Sequence, residues 1–209
     1  MPIESEIKFT VEDKSIFKRV ASLVNIAGYK PVDKGVTLHT DTYFDTQDFQ
    51  LYHGEVVLRL RSLGNETILT FKARGQSNGE IHRRIEIEHR TETTVDDIAN
   101  GRFPDILPVK ALYERIGHVK LYPCLTAKNN RHTILLTEKD EPHFELVLDD
   151  VVFSGTGGEK NVCELEIESL TGMDDELRKI GGWFAERYKL KPAGPSKYIL
   201  GMKLVGFGI

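Results

Sequence analysis

The residues best equipped for chemistry sit at every second position of short runs whose other positions are largely apolar. Glu4, Glu6 and Lys8 alternate with Ile3, Ser5, Ile7 and Phe9 at the start of the chain. Arg59 and Arg61 alternate with Leu58 and Leu60, Lys72 follows Phe71, and Arg84, Glu86 and Glu88 alternate with Ile85 and Ile87. Glu164, Glu166 and Glu168 are separated by Leu165 and Ile167. Paired arginines on one face present planar forks suited to phosphate oxygens. Three carboxylates on one strand face repel one another unless a cation lies among them, and a hard divalent cation answers that need.

Such side chains share a face only if the backbone is extended, because strand side chains point alternately to opposite sides. The pattern therefore predicts strands over 3–9, 37–44, 55–63, 66–73, 80–90, 144–152 and 162–170, with two short strands or one bent one over 121–136. In 37–44 the residues Thr37, His39, Asp41 and Tyr43 share a face. His39 reads as a structural strand-end residue, since no second histidine stands at ligand spacing. Lys128 and Arg131 lie on the polar portion of 121–136, and Glu145, Val147 and Asp149 oppose Phe144, Leu146 and Leu148.

Helical spacing marks 12–27, with Asp13 or Thr10 as cap and Gly28 as stop, then 94–100, 107–116 and 174–190. Gly64-Asn65 reads as a hairpin turn, Gly75 to Gly79 as a loop, and Gly155 to Gly158 as a turn rather than a phosphate loop, because no Lys-Ser/Thr pair follows it. The tail Pro195-Ser196-Lys197-Tyr198 is expected in a final short strand.

The composition allows one sizeable core. Of 209 residues 40% are hydrophobic and 29% charged, no linker divides the chain, and the expected organisation is a single domain over 1–209. A net charge of -4 with interleaved acids and bases argues against nucleic-acid binding. No run approaches the roughly 20 apolar residues of a membrane span, and no basic-then-apolar leader precedes the first strand, so no membrane association and a cytoplasmic location are expected. Cys124 and Cys163 lack CxxC spacing, which disfavours a disulfide framework or thiolate zinc site.

Strands with one apolar and one mixed-charge face, joined by hairpins and accompanied by helices, fit an α+β fold. The helices cover the apolar face of a closed antiparallel barrel, and the charged face becomes its lumen. Unpaired buried charges cost several kcal/mol each, so such a lumen holds water, an anionic ligand and metal. Bases would hold the anion and acids the metal, with Mg²⁺ or Mn²⁺ suited to carboxylates plus phosphates.

The ordered set Glu4-Ser5-Glu6-Ile7-Lys8, Thr42-Tyr43-Phe44-Asp45-Thr46, Leu58-Arg59-Leu60-Arg61, Thr70-Phe71-Lys72, Arg84 to Glu88, Arg131, Asp149, Glu164 to Glu168 and Ser196-Lys197 spans nearly the whole chain. It resembles the CYTH superfamily of triphosphate tunnel metalloenzymes, whose signature is ExExK. The resemblance implies an eight-stranded antiparallel tunnel that binds a triphosphate with a divalent metal and cleaves a phosphoanhydride bond. It further implies Lys8, Arg59, Arg61, Lys72, Arg84, Arg131 and Lys197 as phosphate ligands. Glu4, Glu6, Asp149, Glu164 and Glu166 become the metal ligands. Lys8, Arg59, Lys72 and Glu88 become the candidate catalytic residues, Glu88 as a supporting or metal-binding acid. Glu86, Glu145, Asp150, Glu168 and Lys128 receive no role.

The partner implied is a small triphosphate-containing molecule, and a homodimer is compatible with the resemblance. Hydrolysis of inorganic or organic triphosphate is the first expectation. The alternatives are an adenylate cyclase, a thiamine triphosphatase and a non-catalytic polyphosphate-binding module. Animal thiamine triphosphatases resemble the segment His39 to Thr46, yet they carry a stacking tryptophan two residues before the first tunnel arginine, where this chain has Val57.

Overall fold

The computed structural model describes residues 3–74, 81–194 and 196–207. The expected loop at Gly75–Gly79 lies outside them. The elements in order are β1 (Ile3–Thr10), α1 (Ser15–Ala21), β2 (Lys30–Asp45), α2 (Gln50–His53), β3 (Val56–Leu63), β4 (Glu66–Arg74) and β5 (His82–Arg90). There follow α3 (Val95–Ala99), α4 (Leu107–Ile116), β6 (Tyr122–Glu138), β7 (Glu141–Gly155), β8 (Gly158–Ser169), α5 (Asp174–Tyr188), the two-residue β9 (Lys191–Pro192) and α6 (Lys197–Gly201). A π-helical turn, Met202–Gly206, continues α6. The strands run antiparallel in the order β5-β4-β3-β2-β6-β7-β8-β1, and β1 pairs back with β5 to close an eight-stranded barrel.

Alternation sends one set of side chains outward beneath helices. Ile7, Phe9, Leu146, Leu148, Leu165 and Ile167 pack under α1 and α5 against Ile16, Val20, Leu177, Ile180 and Phe184. Leu58, Leu60, Leu69 and Phe71 pack under α3 and α4 against Ile98, Val109 and Leu112. Each such side chain contributes about 1.5–3 kcal/mol by leaving water. Gly181 in α5 lets the helix come down on β1, since a Cβ there would stand 2.9 Å from Ile7 Cδ1.

A third apolar cluster closes one end of the lumen. Tyr43, Val57, Leu125, Ala127, Val151 and Phe153 continue the inward-facing rows of their strands and meet Tyr198, Met202 and Val205 of the tail. The expected final strand at Ser196-Lys197-Tyr198 is therefore corrected: Lys197 opens a helix, capped by Ser196, whose side chain accepts from the Ile199 N–H. Burial at 198, 202 and 205 follows a helical spacing, which plugs the barrel end where a strand would leave it open. Gly155 admits this plug, because a Cβ there would lie 2.4 Å from the Val205 backbone oxygen. Gly155→Ala is expected to lower unfolding free energy in urea by about 1–3 kcal/mol through overpacking. Gly182→Ala, in α5 with nothing within 4 Å of its Cβ, should raise stability by about 0.5–1 kcal/mol.

Other boundaries differ for local reasons. The first helix is confined to 15–21 and starts after Lys14 with no side-chain cap, although Asp13 just before it accepts from the Ser15 N–H, and Ala27 and Gly28 adopt φ of 49° and 99° beyond it. β2 begins at Lys30, seven residues before its periodic part, because its first half is largely exposed on both faces and shows no alternation. The stretch over 121–136 is one long strand, paired with both β2 and β7.

Candidate functional site

Inside the barrel lies a cavity of about 510 Å³, walled by inward-facing residues of β1 to β8 and by Lys197 of α6. Glu4, Glu6, Lys8, Arg59, Arg61, Lys72, Arg84, Glu86, Glu88, Arg131, Glu145, Glu166 and Glu168 all reach it. Twelve or more charged groups in one cavity can coexist only if paired. On the β3–β5 wall, Arg59 donates to Thr70 Oγ1 at 3.0 Å and to Glu88 at 3.1 Å, while Lys72 lies 2.7 Å from Glu86 and 3.2 Å from Glu4. Glu6 is shared by Lys8 and Arg84, each at 3.1 Å.

Opposite, Arg131 grips Asp149 through two parallel bonds of 2.8 and 2.7 Å and reaches Glu166 at 3.2 Å. Lys197 lies 2.9 Å from Asp149, 3.0 Å from Glu164 and 2.6 Å from Glu166. Burial opposes the Lys197 charge, yet Asp149, Glu166 and Glu164 outweigh it and raise its pKa well above the usual lysine range. Burial likewise works against the Glu166 carboxylate, but Lys197, Lys8 and Arg131 hold its pKa well below the ordinary value. Asp149 and Glu164, 0% and 1% exposed, sit behind the cavity wall with Lys197 between them and the lumen.

The structure adds residues to which the sequence gave no function. Asp41 is 1% exposed and receives Arg61 bidentately at 2.7 and 2.8 Å, with Arg59 at 3.7 Å. Burial would raise its pKa, but these two arginines bring it down to about 2. Its inward parity with Tyr43 was the available signal. Thr70 and Asn129 are buried hydrogen-bond partners of Glu88 and Asp149. His39 lies beside this layer, lowered to about 4 by burial and by Arg61 and Arg131, so it is neutral at pH 7. Of the residues without an expected role, Glu86, Glu145 and Glu168 line the cavity, Lys128 is exposed, and Asp150 pairs outside the barrel with Lys14. Burial and the neighbouring Glu4, Glu145 and Glu6 push Glu168 up to about 8.

Bases and carboxyl groups line the cavity in equal number, and Asp41, Asp149 and Glu164 behind its wall tip the balance towards acid, so a polyanion entering it requires added positive charge. The donor chemistry suits a hard cation: all the candidate ligands are carboxylates, and the buried oxygens Glu6 Oε1 and Glu164 Oε2 accept no aligned hydrogen bond. Among the described residues no three acidic, histidine or cysteine side chains are already arranged around a common metal position.

The sequence matches the family model of the CYTH domain over residues 2–197. The chain belongs to the CYTH domain family. Its barrel resembles that of a proposed adenylate cyclase from Bacillus halodurans, with a TM-score of 0.70 at 20% identity, covering 96% of this chain and 98% of that one. A Hippeastrum protein, described as a proposed adenylyl cyclase with a dominant triphosphatase activity, aligns with a TM-score of 0.69 at 15% identity, covering 96% and 95%. The RNA triphosphatase domain of the mimivirus mRNA capping enzyme aligns at 0.52 and 13% identity, covering 87% and 88%. No curated protein matches the sequence. At these identities the likeness concerns the fold, and the CYTH barrel here carries the ExExK residues Glu4, Glu6 and Lys8 on its lumen face. No helix among the described residues is long and apolar enough to cross a membrane.

Proposed function

We propose that this CYTH domain hydrolyses a phosphoanhydride bond of a triphosphate bound in the barrel lumen, with a divalent metal. The observation that carries this reading is the convergence of Lys8, Arg59, Arg61, Lys72, Arg84, Arg131 and Lys197 on one partly enclosed cavity that is lined by as many carboxyl groups, with Asp41, Asp149 and Glu164 buried behind them. Glu4, Glu6, Asp149, Glu164 and Glu166 would hold the ion. When bound, Mg²⁺ or Mn²⁺ neutralises phosphate charge and polarises the bond that breaks.

The protein's own groups do the rest. Arginine and lysine side chains bind the phosphate oxygens and offset the charge that builds on the leaving phosphate. Glu88 is held by Arg59 and Thr70, and with its side chain 45% exposed it stands where solvent enters, placed to orient a water. The plug at the far end excludes bulk water from the bound anion.

The walls favour a substrate without an aromatic group. The aromatic residues reaching the cavity are Tyr43 and Tyr198, stacked on each other at 5.4 Å and only 2% and 1% exposed. Val57, before Arg59, is 7% exposed and offers no stacking face. Inorganic tripolyphosphate is therefore the preferred substrate. Phosphate release should show a kcat/KM for tripolyphosphate no lower than those for ATP and thiamine triphosphate, whose aromatic groups gain from these walls none of the roughly 1–3 kcal/mol of a stacking contact. Cyclic AMP and pyrophosphate from ATP would replace this reading with a cyclase. Tight binding without release would replace it with a binding module.

A further inference from the structure

The placement of Lys197 has a consequence beyond phosphate binding. Its ammonium is enclosed by Asp149 Oδ2, Glu164 Oε2 and Glu166 Oε1 at 2.9, 3.0 and 2.6 Å, and all four side chains are 10% exposed or less. These are the acids that the metal-dependent reading assigns to the ion. We infer that Lys197 is a tethered internal cation that fills this carboxylate cage, and that a divalent ion binding to Asp149, Glu164 and Glu166 displaces the Lys197 ammonium into the lumen.

Charge balance requires an exchange. Lys197, Arg131 and Lys8 surround the three carboxylates, and Glu6, the next acid on Lys8, is itself taken by Arg84. A divalent ion added to that group would stand within a few ångströms of three cations, whose repulsion is relieved if one of them leaves. Distance requires it too. Oxygens lie 2.6–3.0 Å from the ammonium, whereas Mg²⁺ binds oxygen at about 2.0–2.1 Å. The acids must draw together, and the ammonium stands between them.

Lys197 is the cation able to leave. Arg131 and Lys8 project from strands paired on both sides, and Arg131 is locked on Asp149 by two parallel bonds. Lys197 starts a five-residue helix outside the ladder and carries a flexible stem. It is also the ion-pair partner that touches all three acids. Once displaced, the ammonium adds a base to the lumen, so metal and polyanion each strengthen the binding of the other. This inference rests on reading the lumen as a metal-dependent triphosphate site.

The test uses Mn²⁺ alone, without substrate. Lysine methylation followed by mass spectrometry should leave Lys197 unmodified in the free protein and label it at saturating Mn²⁺, while exposed Lys128 reacts equally in both. In calorimetric titration Lys197→Met should bind Mn²⁺ at least tenfold tighter than the unmodified chain. Removing Lys197 strands three buried acids and can prevent folding, in which case the labelling result on the natural chain decides. Mn²⁺ binding that leaves Lys197 protected, equal or weaker binding by a folded Lys197→Met, or no Mn²⁺ binding at all would each overturn the exchange. Tripolyphosphate turnover on the same preparation separates the two ideas. Turnover with Lys197 still protected removes the exchange and keeps the hydrolase, and Mn²⁺-dependent labelling without turnover does the reverse.

Discussion

Arg59→Ala is expected to lower kcat/KM for tripolyphosphate by about 10²–10³-fold, the size of effect seen when one preorganised electrostatic donor is removed. Arg59 is 7% exposed and held between Thr70, Glu88 and Asp41, so its guanidinium stays in place without a ligand. A group already fixed by its neighbours loses little side-chain freedom on engaging phosphate. The same substitution takes one counter-charge from Asp41, which keeps Arg61, and from the part-exposed Glu88, so it should cost less stability than the roughly 3–5 kcal/mol of a fully buried pair. Rate and stability must therefore be separated. Arg59→Lys keeps the charge and gives up the planar fork, so it should recover most of the stability while remaining well below the natural rate. Steady-state kinetics on protein shown folded by circular dichroism makes the check, and a folded Arg59→Ala with unchanged kcat/KM would remove Arg59 from the site.

Asp45→Ala should be the most destabilising change outside the lumen. The carboxylate is 1% exposed and ties three parts of the chain together. Its Oδ1 accepts from the Thr46 and Leu51 N–H groups at 2.7 and 2.8 Å, and its Oδ2 from the Tyr52 N–H at 2.9 Å and from the Tyr198 hydroxyl. Alanine would leave those buried donors without an acceptor, at about 1–3 kcal/mol each with partial relaxation, for an expected total of about 3–5 kcal/mol. Tyr198→Phe removes only the hydroxyl bond and should cost about 1–1.5 kcal/mol. Because Tyr198 follows Lys197 in α6, loosening this anchor also loosens the lysine that enters the lumen. Urea denaturation orders the variants, and an Asp45→Ala midpoint no lower than that of Tyr198→Phe would show that Asp45 does not anchor the plug.

Much of this architecture is written in alternation. Ile7 and Phe9 against Glu6 and Lys8, Leu58 and Leu60 against Arg59 and Arg61, and Leu165 and Ile167 against Glu164 and Glu166 each separate the helix-covered outside from the lumen. A barrel wall imposes that period of two on every strand, so the candidate site residues could be placed on their faces before their neighbours were known. Two kinds of information have no such period. The first half of β2 is largely exposed on both faces, so nothing in its residue types marks it as a strand. The choice of partners depends on how the strands stagger around the barrel, which joins Arg61 to Asp41 and Lys197 to Asp149, Glu164 and Glu166. The tail, expected as a strand, is a helix; the missed signal is the spacing of Tyr198, Met202 and Val205, which places them on one helical face.

Orthophosphate release from tripolyphosphate tests the central claim most directly, run with Mg²⁺, with Mg²⁺ plus excess chelator, and with Glu4→Gln. Glu4 is paired with Lys72 at the lumen wall, and the amide keeps its shape while removing the charge offered to an ion. Release with Mg²⁺ that stops with chelator and falls about 10²-fold or more in a folded Glu4→Gln is the expected result. Release that persists under chelation, or a Glu4→Gln variant as fast as the natural chain, would contradict a metal-dependent triphosphatase in this lumen.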